Sequence, residues 1–273
     1  MKRTYCKIVL IALLIGSGVT LAAWRSAVAI PVILDHVPAY NWYHGCGLTA
    51  AASVIGYWDL HNYDNLFDAS GWEDVRLTQN VKDHISSPEH NAKYDPKPDD
   101  PHLPDPPNTS IADFFHTSEG SLNYGWSYLS YADDAFIGYA DHRGYEFDAR
   151  NEWFDSFAWD DFTAEIDEGR PLLFLVDTNA DSTTDHFVPV MGYDNRGAEG
   201  LWYALYTTWS ENEDIVWHEF RGMSNVWTWG IGYATIVNPI DPPPAPVPET
   251  STVLLLSAGL LAAAGFTKRC EKK

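Results

Sequence analysis

Two side chains in this sequence are placed to do nucleophilic chemistry together: Cys46, flanked by Gly45 and Gly47, and His186, which precedes a run of β-formers. Leu48, Ala51, Ala52 and Ile55 recur at the spacing of one buried helical face, so a helix is expected from Cys46 to Trp58 with the cysteine at its start. A thiol there meets the positive end of the helix dipole and unpaired backbone N–H groups, and both favour the thiolate. The flanking glycines leave room for a substrate carbonyl, and the Cys46 N–H supplies half an oxyanion hole. The chemistry implied is attack by sulfur on a carbonyl, with an imidazole moving the proton. A buried, inert cysteine is the alternative.

The ends of the chain explain why Cys46 stands alone. Lys2, Arg3 and Lys7 precede an apolar run from Ile8, and Ala27-Val28-Ala29 closes it, so residues 1–29 read as a signal peptide cut by signal peptidase. A Pro-rich linker over 239–247 leads into a tail over 248–273, Pro248-Glu249-Thr250-Ser251-Thr252, then an apolar stretch from Val253 to Phe266 and Lys268-Arg269. That tail reads as a short membrane helix with its basic end on the cytoplasmic side. Cys6 and Cys270 fall in these segments, so the domain over 30–238 keeps one thiol and cannot form an internal disulfide. Between positions 30 and 247 nine basic residues stand against 36 acidic ones, which excludes nucleic acid as a partner. With 45% apolar residues the chain can build a sizeable core, so a disordered polymer is excluded as well.

Other elements frame the two reactive groups. Seven of the twenty residues from Pro88 to Pro107 are Pro, giving a long polar loop. Ser110 caps a short helix through Phe115, and Phe154, Phe157, Ala158, Phe162 and Ile166 form a second helical face ending at Gly169. Strands are expected at Leu172–Val176, Phe187–Tyr193, Leu201–Thr207 and Ile215–Phe220, with a turn at Asn195-Arg196-Gly197. A helix bearing Cys46 followed by an antiparallel sheet is an α+β arrangement. His84, His90 and His102 lack ligand spacing, so no zinc site is expected.

The stretch Val37-Pro38-Ala39-Tyr40-Asn41-Trp42-Tyr43-His44-Gly45-Cys46-Gly47-Leu48-Thr49 resembles the nucleophile helix of papain-like cysteine peptidases, nearest the double-glycine leader peptidase (bacteriocin-processing) type. Asp185-His186-Phe187-Val188-Pro189-Val190 is similar to the family's second motif, where the catalytic His opens a strand. The resemblance implies a papain-like fold, peptide or protein substrates, and no cofactor for the chemistry. It makes Cys46 the nucleophile and His186 the base, resting as a thiolate–imidazolium pair that forms an acyl-enzyme, and it puts Asn41 where the family has its oxyanion-hole amide. For the residue orienting the imidazole, it points to Tyr206-Thr207-Thr208-Trp209, with Thr207 the first choice and Thr208 beside it. Asp194 lies eight residues along the strand from His186, about 26 Å away at strand rise, too far to serve. The last 27 or so residues resemble a PEP-CTERM sorting tail, which implies processing by an exosortase, export to the cell surface or medium, and extracellular polysaccharide among the surroundings.

Immediately before His186, Asp177, Asn179, Asp181 and Asp185 alternate with other residues, as oxygen ligands do in the first part of an EF-hand loop. Ser182 stands at the expected Gly and Val188 at the expected closing Glu. Two readings stand: a structural Ca²⁺ bracing the loop that delivers His186, or a polar turn. For the whole domain the readings are an exported cysteine peptidase or amide hydrolase, a papain-like module that binds or structures extracellular polymer without catalysis, and an acyl transferase to an amine.

Overall fold

The computed structural model describes residues 30–76, 78–95 and 99–240. The expected signal peptide, most of the expected Pro-rich linker and the expected sorting tail lie outside the described residues. Among the described residues, no helix is long and apolar enough to cross a membrane.

The chain runs β1 (Val32–Ile33), α1 (Cys46–Asp59), α2 (Trp72–Val75), α3 (Gln79–Ile85), α4 (Pro88–Tyr94), α5 (Ile111–Phe114), α6 (Ala132–His142), β2 (Phe147–Trp153), α7 (Trp159–Asp167), β3 (Leu172–Asp177), β4 (His186–Asn195), β5 (Leu201–Leu205), β6 (Val216–Glu219) and β7 (Gly230–Pro239). The strands form one sheet in the order β2-β7-β3-β4-β5-β6, with β1 also pairing β4, and every strand pair is antiparallel. Helices first and sheet second give the α+β class expected from the sequence.

The sheet is buried on both faces, and period two explains how. Leu173 and Leu175 of β3 join the core of α1, α3, α5 and α6, whereas Leu172, Phe174 and Val176 join the core built on Phe162 and Ile166 of α7. That is why β3 reads as an unbroken apolar run rather than an alternating one. The helix opened by Cys46 differs from a one-faced amphipathic helix, because Gly47 to Tyr57 are buried without a break. Its three consecutive alanines, Ala50 to Ala52, let the sheet and the outer helices approach it from both sides.

Two departures from the expected elements have local causes. The segment expected as polar loop opens with α4: Pro88 occupies the first helical turn, where its missing N–H costs nothing, and the Ser87 side chain caps the His90 N–H at 3.1 Å. His90 is a buried tie, its ring bridging Asp113 at 2.8 Å and the Thr117 carbonyl at 2.9 Å. The second helix begins at Trp159, after a single 3-10 turn over Phe154–Ser156.

At the end of α1, Asp59 is buried. The Phe67 N–H donates to its Oδ1 at 2.7 Å while Oδ2 has no hydrogen-bond partner. Burial, followed by the Asp64 and Asp68 charges and against the Phe67 N–H, raises its pKa to about 7. A raised carboxyl pKa means that the native state holds the proton more tightly than the unfolded chain. Stability is therefore lost as pH rises from about 4 through about 7, and the penalty is fully present above that. Asp59→Asn keeps the acceptor for Phe67, so it should flatten this dependence and stabilise the protein at pH 8 by on the order of 2–4 kcal/mol. Denaturant melts at pH 5 and pH 8 check it, and an equal loss of stability at both pH values would contradict it.

Candidate active site

Cys46 is the first residue of α1, and its position is set by the loop before it. The Thr49 hydroxyl donates to the Gly45 carbonyl at 2.5 Å and accepts the Tyr43 N–H at 3.0 Å, which folds residues 43–45 back over the first helical turn. A β-carbon on Gly45 would stand 2.9 Å from the Gly125 carbonyl, so only glycine admits this close approach. The loop is pinned from outside as well: His44 Nδ1 lies 2.8 Å from the Tyr124 hydroxyl, which donates to Asp95 at 3.0 Å.

His186 opens β4, opposite Val176 of β3. Cys46 and His186 line one open cleft of about 460 Å³, together with Trp42, Tyr128, Asp185 and Trp209. The sheet brings together two residues 140 positions apart in sequence because β4 runs beside α1, whose core takes Phe187.

The imidazole is oriented by a backbone group. His186 Nε2 sits 2.8 Å from the Thr207 carbonyl oxygen, and the Thr208 hydroxyl lies 3.4 Å from the same nitrogen. A carbonyl only accepts, so Nε2 carries the hydrogen and Nδ1 is left with the lone pair that can take a proton from sulfur. The contact expected from Thr207 is made by its main-chain carbonyl and not by its hydroxyl. The carbonyl is aimed by a turn in which Thr208 takes a left-handed φ of 59°, unusual for a β-branched residue. The Trp209 ring lies over the imidazole with centroids 4.9 Å apart, and Trp229 approaches its edge at 6.2 Å. Asp194 is elsewhere, opposite Trp202 on β5 and held by Arg196 at 2.6 Å.

Asn41 is exposed and is not among the residues lining the cleft; its neighbour Trp42 lines the wall instead. The amide expected to complete the oxyanion hole thus stands exposed, outside the cleft wall.

The loop before His186 is a nested polar turn. Asp177, fully buried, accepts the N–H groups of Asn179, Ala180, Asp181 and Ser182. Asn179 caps Asp181, Asp181 caps Thr183, and Asp185 accepts both the N–H and hydroxyl of Thr178. No cluster of three or more His, Cys, Asp or Glu able to hold a metal ion is present among the described residues. Asp177, Asn179, Asp181 and Asp185 brace the His186 loop through hydrogen bonds to its own backbone and hydroxyls.

Both reactive groups are shifted towards neutrality. Burial pushes the Cys46 thiol up, outweighing the backbone N–H groups of Phe187, Cys46 and Gly47 that favour the thiolate. Burial likewise pulls His186 down, against the Thr207 carbonyl and the Asp185 charge that favour the imidazolium. Both shifts favour a neutral thiol and a neutral imidazole over the thiolate–imidazolium pair expected from the sequence.

A model of the Peptidase_C39-like family matches residues 34–229, a span holding Cys46, His186 and Thr207. The chain belongs to the Peptidase_C39-like family. The family is one of cysteine peptidases, and in this Peptidase_C39-like chain the matched span begins just after β1 and ends just before β7. Among solved structures it is similar to active wild-type interpain A, a cysteine protease of Prevotella intermedia, with a TM-score of 0.44 and 11% identity over 77% of this chain and 95% of that one. No curated protein gives a significant match.

Trp229, Tyr124 and the Thr207 carbonyl are the site groups that the sequence did not disclose. The one available signal was the density of Trp and Tyr near the glycines at 125 and 230.

Proposed function

We propose that the protein is an exported cysteine peptidase that hydrolyses peptide amide bonds through an acyl-enzyme on Cys46. The observation that carries this is the shared cleft: a thiol at a helix N-terminus and an imidazole whose tautomer is fixed with Nδ1 free. Nδ1 takes the thiol proton as sulfur adds to the carbonyl carbon. The Cys46 N–H at the start of α1 faces the developing oxyanion, and the imidazolium then protonates the leaving amine. Water, activated by the same imidazole, releases the acid. An amine in place of water would make the protein an acyl transferase on the same residues.

Export rests on the residues at the two ends. Signal peptidase acting after Ala29 and an exosortase acting in the tail would leave a surface or extracellular protein, in reach of polysaccharide.

One mass measurement tests chemistry and export together. Protein recovered from the producing cells' surface and medium, treated with a peptide vinyl ester, should begin at Ile30, end between Pro248 and Ser251, and carry one adduct on Cys46. An adduct elsewhere, or none, overturns the nucleophile; an intact tail overturns the sorting.

A second reading, a binding module that has lost catalysis, is favoured by the uncharged orienter. A carbonyl stabilises imidazolium less than a carboxylate does.

A further inference from the structure

We infer that the cleft selects substrates with a cationic side chain beside the bond attacked, through Asp185 and the aromatic wall; this rests on the peptidase reading above. Besides the two reactive residues, the cleft is walled by the rings of Trp42, Trp126, Tyr128, Trp209 and Tyr233 and by a single carboxylate, Asp185, and no Lys or Arg lines it. Six of the nine cations between positions 30 and 247 are held in ion pairs elsewhere: Lys93 to Asp105, Arg143 to Asp68, Arg150 to Glu152, Arg170 to Glu165, Arg196 to Asp194 and Arg221 to Glu219. Nothing in the cleft therefore offsets the negative potential set up by 36 acidic residues against nine basic ones between positions 30 and 247.

The local chemistry points the same way. Asp185 accepts two hydrogen bonds from Thr178, and a carboxylate has about four lone-pair sites, so it can still receive an ammonium or guanidinium. It is exposed and adjoins His186 in sequence, which places its charge next to the proton carrier. Trp126, Tyr128 and Trp209 are 58%, 53% and 57% exposed, an uncommon cost for large rings unless a ligand covers them. The negative face of such a ring attracts a cation, and the aliphatic stem of Lys or Arg packs on it. An acidic side chain would meet only repulsion here, and a neutral apolar one would gain the rings alone.

The test uses peptides identical except for Lys, norleucine or Glu at the positions flanking the cleaved bond. At low salt kcat/KM should be about tenfold higher for Lys than for norleucine and lower still for Glu, with the Lys advantage shrinking in about 0.5 M salt. Asp185→Asn should bring the Lys-to-norleucine ratio close to one. Because the ratio is taken within each variant, any effect of Asp185 on His186 cancels. Equal kcat/KM for Lys and norleucine in the unaltered protein would overturn the inference. Binding of the same peptides to the Cys46→Ala protein reads selectivity without turnover. Absent hydrolysis with Lys-selective binding thus sinks the peptidase reading alone, and equal binding sinks this one.

Discussion

Cys46→Ala is expected to lower amide hydrolysis by about four to six orders of magnitude and to leave the fold intact. The size of the loss follows from the route. Without sulfur there is no acyl-enzyme, and what remains is the rate that a positioned carbonyl and an oxyanion donor can give to water. The fold should survive because alanine is the best helix former and removes one sulfur from a half-buried site at the first position of α1. The tie that holds the loop, from Thr49 to Gly45, does not involve the thiol. A change in stability within about 1 kcal/mol is expected, read from the melting temperature alongside the progress curve. Hydrolysis that survives the change in a protein with an unaltered melt would remove Cys46 as nucleophile. A large drop in melting temperature would show that the thiol is a packing residue, and Cys46→Ser, which keeps the volume, would then recover stability without recovering activity.

How much of this was legible in the sequence varies with the kind of signal. The start of α1 was legible because helical periodicity and the cysteine coincide, but burial on every side was not, since Ala and Gly look the same on one face as on all. Strands β3, β4 and β5 were legible as apolar runs with a turn between the last two. Strand β2 was not, because Phe147–Trp153 is an edge whose outward residues are charged. Strand β7 was hidden by Gly230 and Gly232, which read as turn residues. A β-carbon on Gly230 would stand 2.6 Å from the Met223 backbone, so crowding dictates glycine inside a strand there. In the site, the thiol and the imidazole have residue types to betray them, whereas the orienting group is a main-chain carbonyl and has none. The alternating oxygens of Asp177 to Asp185 are a signature shared by cation loops and by side chains capping their own backbone, and only the fold separates the two.

The pH dependence should carry the mark of a neutral resting pair. His186 is pulled below its ordinary value and Cys46 is pushed above its own, so the form competent to start the reaction exists between those two titrations. Hydrolysis should fall only when the imidazole is protonated, below about pH 6.5, and should persist past pH 8. An enzyme resting as thiolate and imidazolium has the opposite window, since it loses activity on the alkaline side as the imidazolium gives up its proton. The same shifts predict that iodoacetamide reacts with Cys46 only as pH approaches or exceeds the ordinary thiol value of about 8.5. His186→Ala should then cost about two to four orders of magnitude in hydrolysis, because the general base is lost, while moving the alkylation midpoint little. The pairing of those two results is the test. Alkylation that stays fast near pH 5 and collapses in His186→Ala would show a preformed ion pair, and the Thr207 carbonyl would then be stabilising a charge that burial disfavours. A midpoint unmoved beside a large loss of turnover would show that the proton leaves sulfur only when substrate is in the cleft, where excluding water strengthens the pull of the Cys46 N–H and the helix terminus on the developing charge.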